Sequence, residues 1–268
     1  MPPVALLLPG MTLNATIFSP LGLPTVSIDF TRLVLGPDGS SPELAQRRIG
    51  VYADFLSGRL GEEQAWATRP RIVVAHSFGG MLALAWWLAN HGSGVARVDG
   101  MVLISTTAGP LFDAARLRLG RLGGVEARIG ITWLIRLWNL PVVTRVVKRA
   151  LTGGSLEAQR VDFRSSGIRS DWALDRAGWR NTDWRSMRAY RLAMEGFDLR
   201  ARLREIDVPV ILLHGTEDTL LPRDCARQLQ AGLPRAELRW VEGAGHALPV
   251  THGEEIRAAV QDLVSGER

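Results

Sequence analysis

Cysteine is nearly absent from this chain of 268 residues. Cys225 stands alone, which excludes an internal disulfide framework and a Cys-rich zinc site. A single thiol with no supporting pattern around it reads as inert filler. Long apolar runs are missing as well. Val4–Leu8 is five residues long with no basic leader, and 81–89 also falls short of a bilayer span. Neither a signal-peptide core nor a transmembrane segment is therefore expected, and the expected location is cytoplasmic. Internal repeats and low-complexity segments are lacking, and Gly 28 with Pro 14 are moderate counts, which excludes fibrous and disordered classes. What is there is a chain 46% hydrophobic, long enough to bury one substantial core.

Charge is unevenly spread. The formal net charge is +5, yet residues 111–204 hold 19 of the 32 Lys+Arg and only 9 of the 27 Asp+Glu. The middle of the chain is strongly basic and the remainder mildly acidic.

Hydrophobic patterning divides the chain in the same place. Short apolar runs at 4–8, 26–30, 72–75, 101–105, 208–213 and 237–241 read as strands, most of them continuous enough to be buried on both faces. Helix candidates at 42–59, 78–91, 222–231 and 253–264 alternate with them. The pattern predicts an α/β fold with a mostly parallel central sheet covered by helices on both faces. The alternation breaks over 110–204, which holds five of the nine tryptophans. There Ile129, Trp133, Leu137 and Leu140 recur at helical spacing, and Gly123-Gly124, Pro141 and Gly153-Gly154 punctuate short segments. An all-helical insertion over 110–204 between core segments 1–109 and 205–268 is expected.

The strongest chemical signal is Ile72-Val-Val-Ala-His-Ser-Phe-Gly-Gly80. A buried strand followed by Ser77 and then a helix is a nucleophile elbow, which lifts the hydroxyl above the strand ends at the positive end of a helix dipole. Gly79 and Gly80 suit the crowding of such a turn. A serine needs a base to attack a carbonyl near neutral pH. Of five histidines, His246 sits in a Gly-rich loop, Val241-Glu-Gly-Ala-Gly-His, directly after the last strand. His214 closes a strand and reads as structural; His76 is expected to point away from the nucleophile; His91 and His252 lie at helix ends. The base needs an acceptor for its second ring nitrogen, and two acids, Glu217 and Asp218, follow the strand that ends near His214. For an oxyanion, the candidate donors are the backbone N–H of Phe78 and that of Met11, in the Leu8-Pro-Gly-Met11 turn. The order Ser…acid…His agrees with one known arrangement of such groups. No metal or organic cofactor is implied.

Together these residues resemble the α/β-hydrolase fold family over nearly the whole chain. Leu8–Met11 corresponds to the family's oxyanion loop, 75–80 to its elbow, Gly215–Asp218 to its acid loop and Gly243–His246 to its histidine loop. The Gly-x-x-Asp spacing selects Asp218 over Glu217. Two departures stand out: Ala75 replaces the first glycine of G-x-S-x-G, and Pro9 replaces the usual histidine before the loop glycine. The chain opens near the family's third strand, so six or seven strands are expected rather than eight. The insertion resembles the family's helical cap. Serine as nucleophile implies ester, thioester or amide cleavage, with a carboxylesterase as the leading expectation and a cofactor-free lyase or carbon–carbon hydrolase as a rival. Leu111, Phe112, Trp133, Trp138 and Trp184 in the cap suggest a pocket for apolar short or medium acyl groups.

The cap's basic series includes Arg116, Arg118, Arg121, Arg128, Arg136, Arg145, Lys148 and Arg149. It reads either as a solvated surface or as a docking face for an acidic partner. A distant similarity to pimeloyl-carrier-protein methyl ester esterases makes an acyl carrier protein the partner to consider. No nucleic-acid-binding module is recognised, so nucleic acid is not an expected partner.

Overall fold

The computed structural model describes residues 2–10, 14–18, 21–28, 49–110, 190, 193–194, 196–218 and 220–266. Among the described residues six strands form one sheet: β1 (Val4–Leu8), β2 (Thr25–Ser27), β3 (Arg71–His76), β4 (Gly100–Ile104), β5 (Val210–Gly215) and β6 (Ala236–Val241). Their spatial order is β2-β1-β3-β4-β5-β6, and every neighbouring pair is parallel. Parallel strands need crossovers that cover both faces of the sheet. That is why the inner strands are almost unbroken Val, Ile and Leu. All five residues of β1 and of β4 are buried.

The two faces bury different sets. Val4, Leu6, Leu8, Val73, Ala75, Met101 and Leu103 face one core layer; Ala5, Leu7, Ile72, Val74, Val102 and Ile104 face the other. Helices α1 (Ile49–Gly61), α2 (Gln64–Thr68) and α3 (Phe78–Asn90) supply residues to the first layer. The run 81–89 is thus a buried core helix. In it Trp86 packs near Trp66, and its indole N–H donates to Ser57 Oγ at 3.0 Å. Helix α4 (Arg223–Gly232) adds Leu229 to the same layer. After α5 (Leu248–Thr251), α6 (Gly253–Ser265) covers the other layer with Ile256, Ala259 and Val260. Glu254 and Glu255 sit in the first turn of α6, where the helix dipole favours acids, and Gly266 closes it in the left-handed region at φ 71.

All six expected strands are present; β1 keeps its expected bounds and the others have shifted ends. β5 starts at Val210 rather than 208. Pro209 before it has no N–H to give, and its carbonyl accepts from Met101 N at 2.9 Å. β6 is an edge strand, and of its six residues Val241 alone is buried. The expected insertion falls outside the described residues except at Pro110, Tyr190, Ala193, Met194 and 196–204. Leu199 N–H donates to Ala108 O at 2.7 Å, and the 3-10 helix Arg200–Glu205 buries Leu203 in the core.

The strand order sets where a site can form. From β1 the chain steps outward to β2, then returns to place β3 on β1's other side. The carboxyl ends of β1 and β3 therefore flank the switch point, where open α/β sheets hold their ligands.

Candidate active site

Ser77 follows β3 directly and is one of two non-glycine residues among those described with positive φ, at 52°. Holding an L-residue there costs about 1–3 kcal/mol and needs surrounding support. The support is visible. Ser77 N–H donates to Ile104 O at 2.9 Å, while Ser77 O accepts from Gly80 N at 3.0 Å, Met81 N at 3.2 Å and the Thr106 hydroxyl at 2.7 Å. Thr106 is a residue that pattern reading passed over. Its signal was its place just beyond β4, which parallel register brings beside the end of β3. Gly79 is required sterically: a Cβ there would lie 2.1 Å from Leu8 O and 2.7 Å from Pro9 O. The elbow is thus pressed against the turn that follows β1.

Three strand-end loops converge at this point. His246 Nε2 lies 2.9 Å from Ser77 Oγ, and His246 Nδ1 lies 2.9 Å from Asp218 Oδ2. A carboxylate only accepts, so Nδ1 carries the proton and Nε2 is left bare to accept the Ser77 hydroxyl. The second oxygen of Asp218 accepts the backbone N–H groups of Leu220 and Leu221, both at 2.9 Å. Burial pushes the Asp218 carboxyl up, but its interactions with His246 and the Leu221 N–H outweigh this and hold it below the ordinary carboxylate value. Glu217 is exposed and its backbone N–H donates to Ala244 O at 2.9 Å, so geometry as well as spacing separates it from Asp218. Close approach of the acid and histidine loops also demands Gly215, where a Cβ would lie 2.2 Å from Ala244 O.

The other histidines occupy separate places. His214 is buried and its Nε2–H donates to Leu221 O at 3.1 Å, tying the acid loop to β5. His76 is buried too, with Nε2 2.9 Å from the backbone O of His246. His91 stacks on Trp87 at 4.8 Å, and His252 Nδ1 is 2.7 Å from Thr251 Oγ1. Burial pushes the Cys225 thiol up, away from thiolate.

Of the two oxyanion candidates, Phe78 stands at the first position of α3, where helix N–H groups lack intrahelical partners. Met11 lies outside the described residues, as do Leu111, Phe112, Trp133, Trp138, Trp184 and the basic series 116–149. Gly10, just before Met11, is described and packs beside His76 and Ser77. One described residue of the expected insertion does reach the elbow. Tyr190 is buried, meets Phe78 edge-on at 4.9 Å and stacks on Tyr52 at 5.9 Å. Among the described residues, no group of three or more His, Cys, Asp or Glu is placed to hold a metal. No helix among them is long and apolar enough to cross a membrane.

The buried histidines make acid stability predictable. Burial lowers His76 from 6.5 to about 3, which keeps it neutral in the folded protein through mild acid, and burial lowers His214 in the same direction. The unfolded chain takes up these protons below about pH 6.5. It then binds more protons than the native state, so stability falls as pH drops from about 6.5 towards 3 and is flat above it. His76 alone is expected to remove about 2 kcal/mol between pH 7 and pH 5. Urea denaturation at those two pH values checks this, and equal stabilities would refute it.

A model of the alpha/beta hydrolase family matches residues 5–259. A RutD protein of Variovorax paradoxus (strain S110), described by its name as a carbamate hydrolase, is 31% identical over 227 residues, covering 85% of this chain and 77% of that protein. The pimeloyl-[acyl-carrier protein] methyl ester esterase of Aromatoleum aromaticum is 38% identical over 69 residues, covering 26% of this chain and 28% of the esterase. In the first curated relatives, the matched stretch spans only 30% and 28% of their own lengths. Among solved structures, MenH from S. aureus has the same fold, with TM-score 0.62 at 18% identity over 98% of this chain and 94% of MenH.

Proposed function

Because this chain belongs to the alpha/beta hydrolase family, we propose that it is a cytoplasmic serine hydrolase that cleaves carboxylic esters through an acyl-enzyme on Ser77. One observation carries the reading: Ser77 Oγ, His246 and Asp218 form an unbroken hydrogen-bonded chain, each link 2.9 Å long. Ser77 Oγ attacks the ester carbonyl carbon as His246 Nε2 takes its proton. Asp218 stabilises the imidazolium without taking the proton itself. The carbonyl oxygen, now an anion, accepts from the backbone N–H of Phe78 and of Met11. Collapse breaks the bond to the alkoxy group, which leaves as the alcohol with the proton from His246. Water then attacks the acyl-enzyme, giving its proton to His246, and the acid departs with Ser77 restored.

Residues 110–204 form the helical cap over this centre in the same reading, with Leu111, Phe112, Trp133, Trp138 and Trp184 lining an apolar acyl pocket. Fluorophosphonate labelling of intact protein, followed by mass mapping, is expected to modify Ser77, and p-nitrophenyl esters of short and medium chains are expected to turn over. Labelling elsewhere, or none on folded protein, overturns the assignment. Phenyl carbamates belong in the same panel, since carbamate cleavage begins with the same attack and the RutD relative's name describes that reaction.

A second reading has its own support. The charge excess in 111–204 and the similarity to a pimeloyl-[acyl-carrier protein] methyl ester esterase both favour an ester presented on an acidic carrier protein. Docked this way, the acyl-carrier substrate loses rate steeply with added salt while a small neutral ester does not. Equal salt responses reject the carrier.

A further inference from the structure

We infer that His76 is a positioning residue for His246, holding the base in place through a buried hydrogen bond to its backbone carbonyl. The inference rests on the reading of His246 as base. His76 Nε2 lies 2.9 Å from His246 O, and both residues are buried. A carbonyl only accepts, so the proton of the neutral ring sits on Nε2 and Nδ1 is a bare lone pair. Nδ1 has no hydrogen-bond partner. The ring therefore has one polar purpose in its pocket. Turning it over would set a lone pair or a C–H against the His246 carbonyl and leave that carbonyl unpaired, a cost buried groups avoid.

The surroundings keep the ring from moving. A Cβ at Gly10 would lie 2.9 Å from His76 Nδ1 and 3.2 Å from its Cε1, so the backbone after β1 packs directly on the imidazole. The His76 and His246 rings lie 5.0 Å apart at 49°. His76 is also bonded covalently to Ser77. One residue thus joins the turn after β1 and the loop bearing the base through its side chain, and the nucleophile after β3 through its backbone. Asp218 governs the tautomer of His246; His76 governs where its backbone sits, and so whether Nε2 meets Ser77 Oγ at 2.9 Å. Displacements on the order of 1 Å in such centres cost about 10²-fold in rate.

The experiment compares His76→Met, which fills the space without a donor, with His76→Gln, whose amide N–H reaches the same acceptor. Each is made in the wild type and in a His246→Ala background, with p-nitrophenyl butyrate as probe. His76→Met is expected to lower kcat by about ten- to a hundredfold with KM nearly unchanged, and His76→Gln to recover most of that loss. In the His246→Ala background His76→Met is expected to add no further loss, since its effect passes through His246. Wild-type kcat in His76→Met, equal losses in both backgrounds, or no recovery with His76→Gln would overturn the inference. If His76→Met does not fold, His76→Asn replaces it, because its amide ends short of the carbonyl. A His246→Ala protein with wild-type kcat sinks the base assignment itself. An inactive His246→Ala beside a fully active His76→Met sinks only the positioning role.

Discussion

Replacing Ser77 by alanine is expected to lower kcat for p-nitrophenyl esters by on the order of 10⁵–10⁶-fold, leaving the slow rate that binding and oxyanion donors sustain alone. The fold should survive, because the elbow is held by backbone groups and Thr106 rather than by the hydroxyl. Ser77→Gly separates the two roles of this residue. Both variants lack the nucleophile, but alanine keeps a Cβ at φ 52 and glycine does not. Relief of that strain is worth about 1 kcal/mol, so Ser77→Gly is expected to melt about 2–4 °C above Ser77→Ala. Thermal unfolding followed by circular dichroism measures the difference. A glycine variant no more stable than the alanine one would mean the elbow stores no strain. Retained esterase activity in either would remove Ser77 from the mechanism.

How far the site was readable from sequence depended on the range of the interactions that build it. Ser77 was legible because it follows a buried run of Ile, Val and Ala, and His246 because it stands in a Gly-rich loop just after the last strand, and residues after a strand lie at its carboxyl end. Glu217 and Asp218 were not separable by burial or periodicity. They are adjacent on one loop, and what turns Asp218 inward is the pair of N–H groups from Leu220 and Leu221. Thr106 and His76 act across pairings far apart in the chain, 29 and 170 residues away, so no local pattern announces them. Helix α2 escaped notice for a different reason. Its five residues hold no repeat, and Trp66 at its centre is buried with its indole N–H donating to Val95 O at 2.9 Å. The second strand was expected over 26–30; Thr25–Ser27 is strand, and Asp29 and Phe30 lie outside the described residues.

Asp218→Asn is the second large effect expected, and the surroundings of Asp218 determine how it arises. The amide that replaces the carboxylate has one acceptor oxygen and one donor nitrogen. Leu220 and Leu221 N–H both point at Oδ1, so the new amide oxygen must take that side. Its NH₂ group then faces His246 Nδ1, which has to become the acceptor. The proton moves to Nε2, which meets Ser77 Oγ and can no longer accept its hydrogen. The base is present, in place and in the wrong tautomer. A loss of about 10⁴-fold in kcat follows from that defect in serine hydrolysis generally, with stability near wild type because every buried polar group keeps a partner. Asp218→Ala should differ in kind. It strands the buried N–H of Leu221 as well as His246, at about 1–3 kcal/mol for each unpaired group, and so is expected to lower the melting temperature along with the rate. Glu217→Gln is expected to change the rate by no more than about twofold and the stability by no more than about 0.5 kcal/mol, as is usual for surface substitutions. Rates of fluorophosphonate inactivation across the three variants, beside their thermal unfolding curves, resolve the question. If Asp218→Asn reacts at the wild-type rate, the carboxylate does not set the tautomer and the base must be oriented by something else.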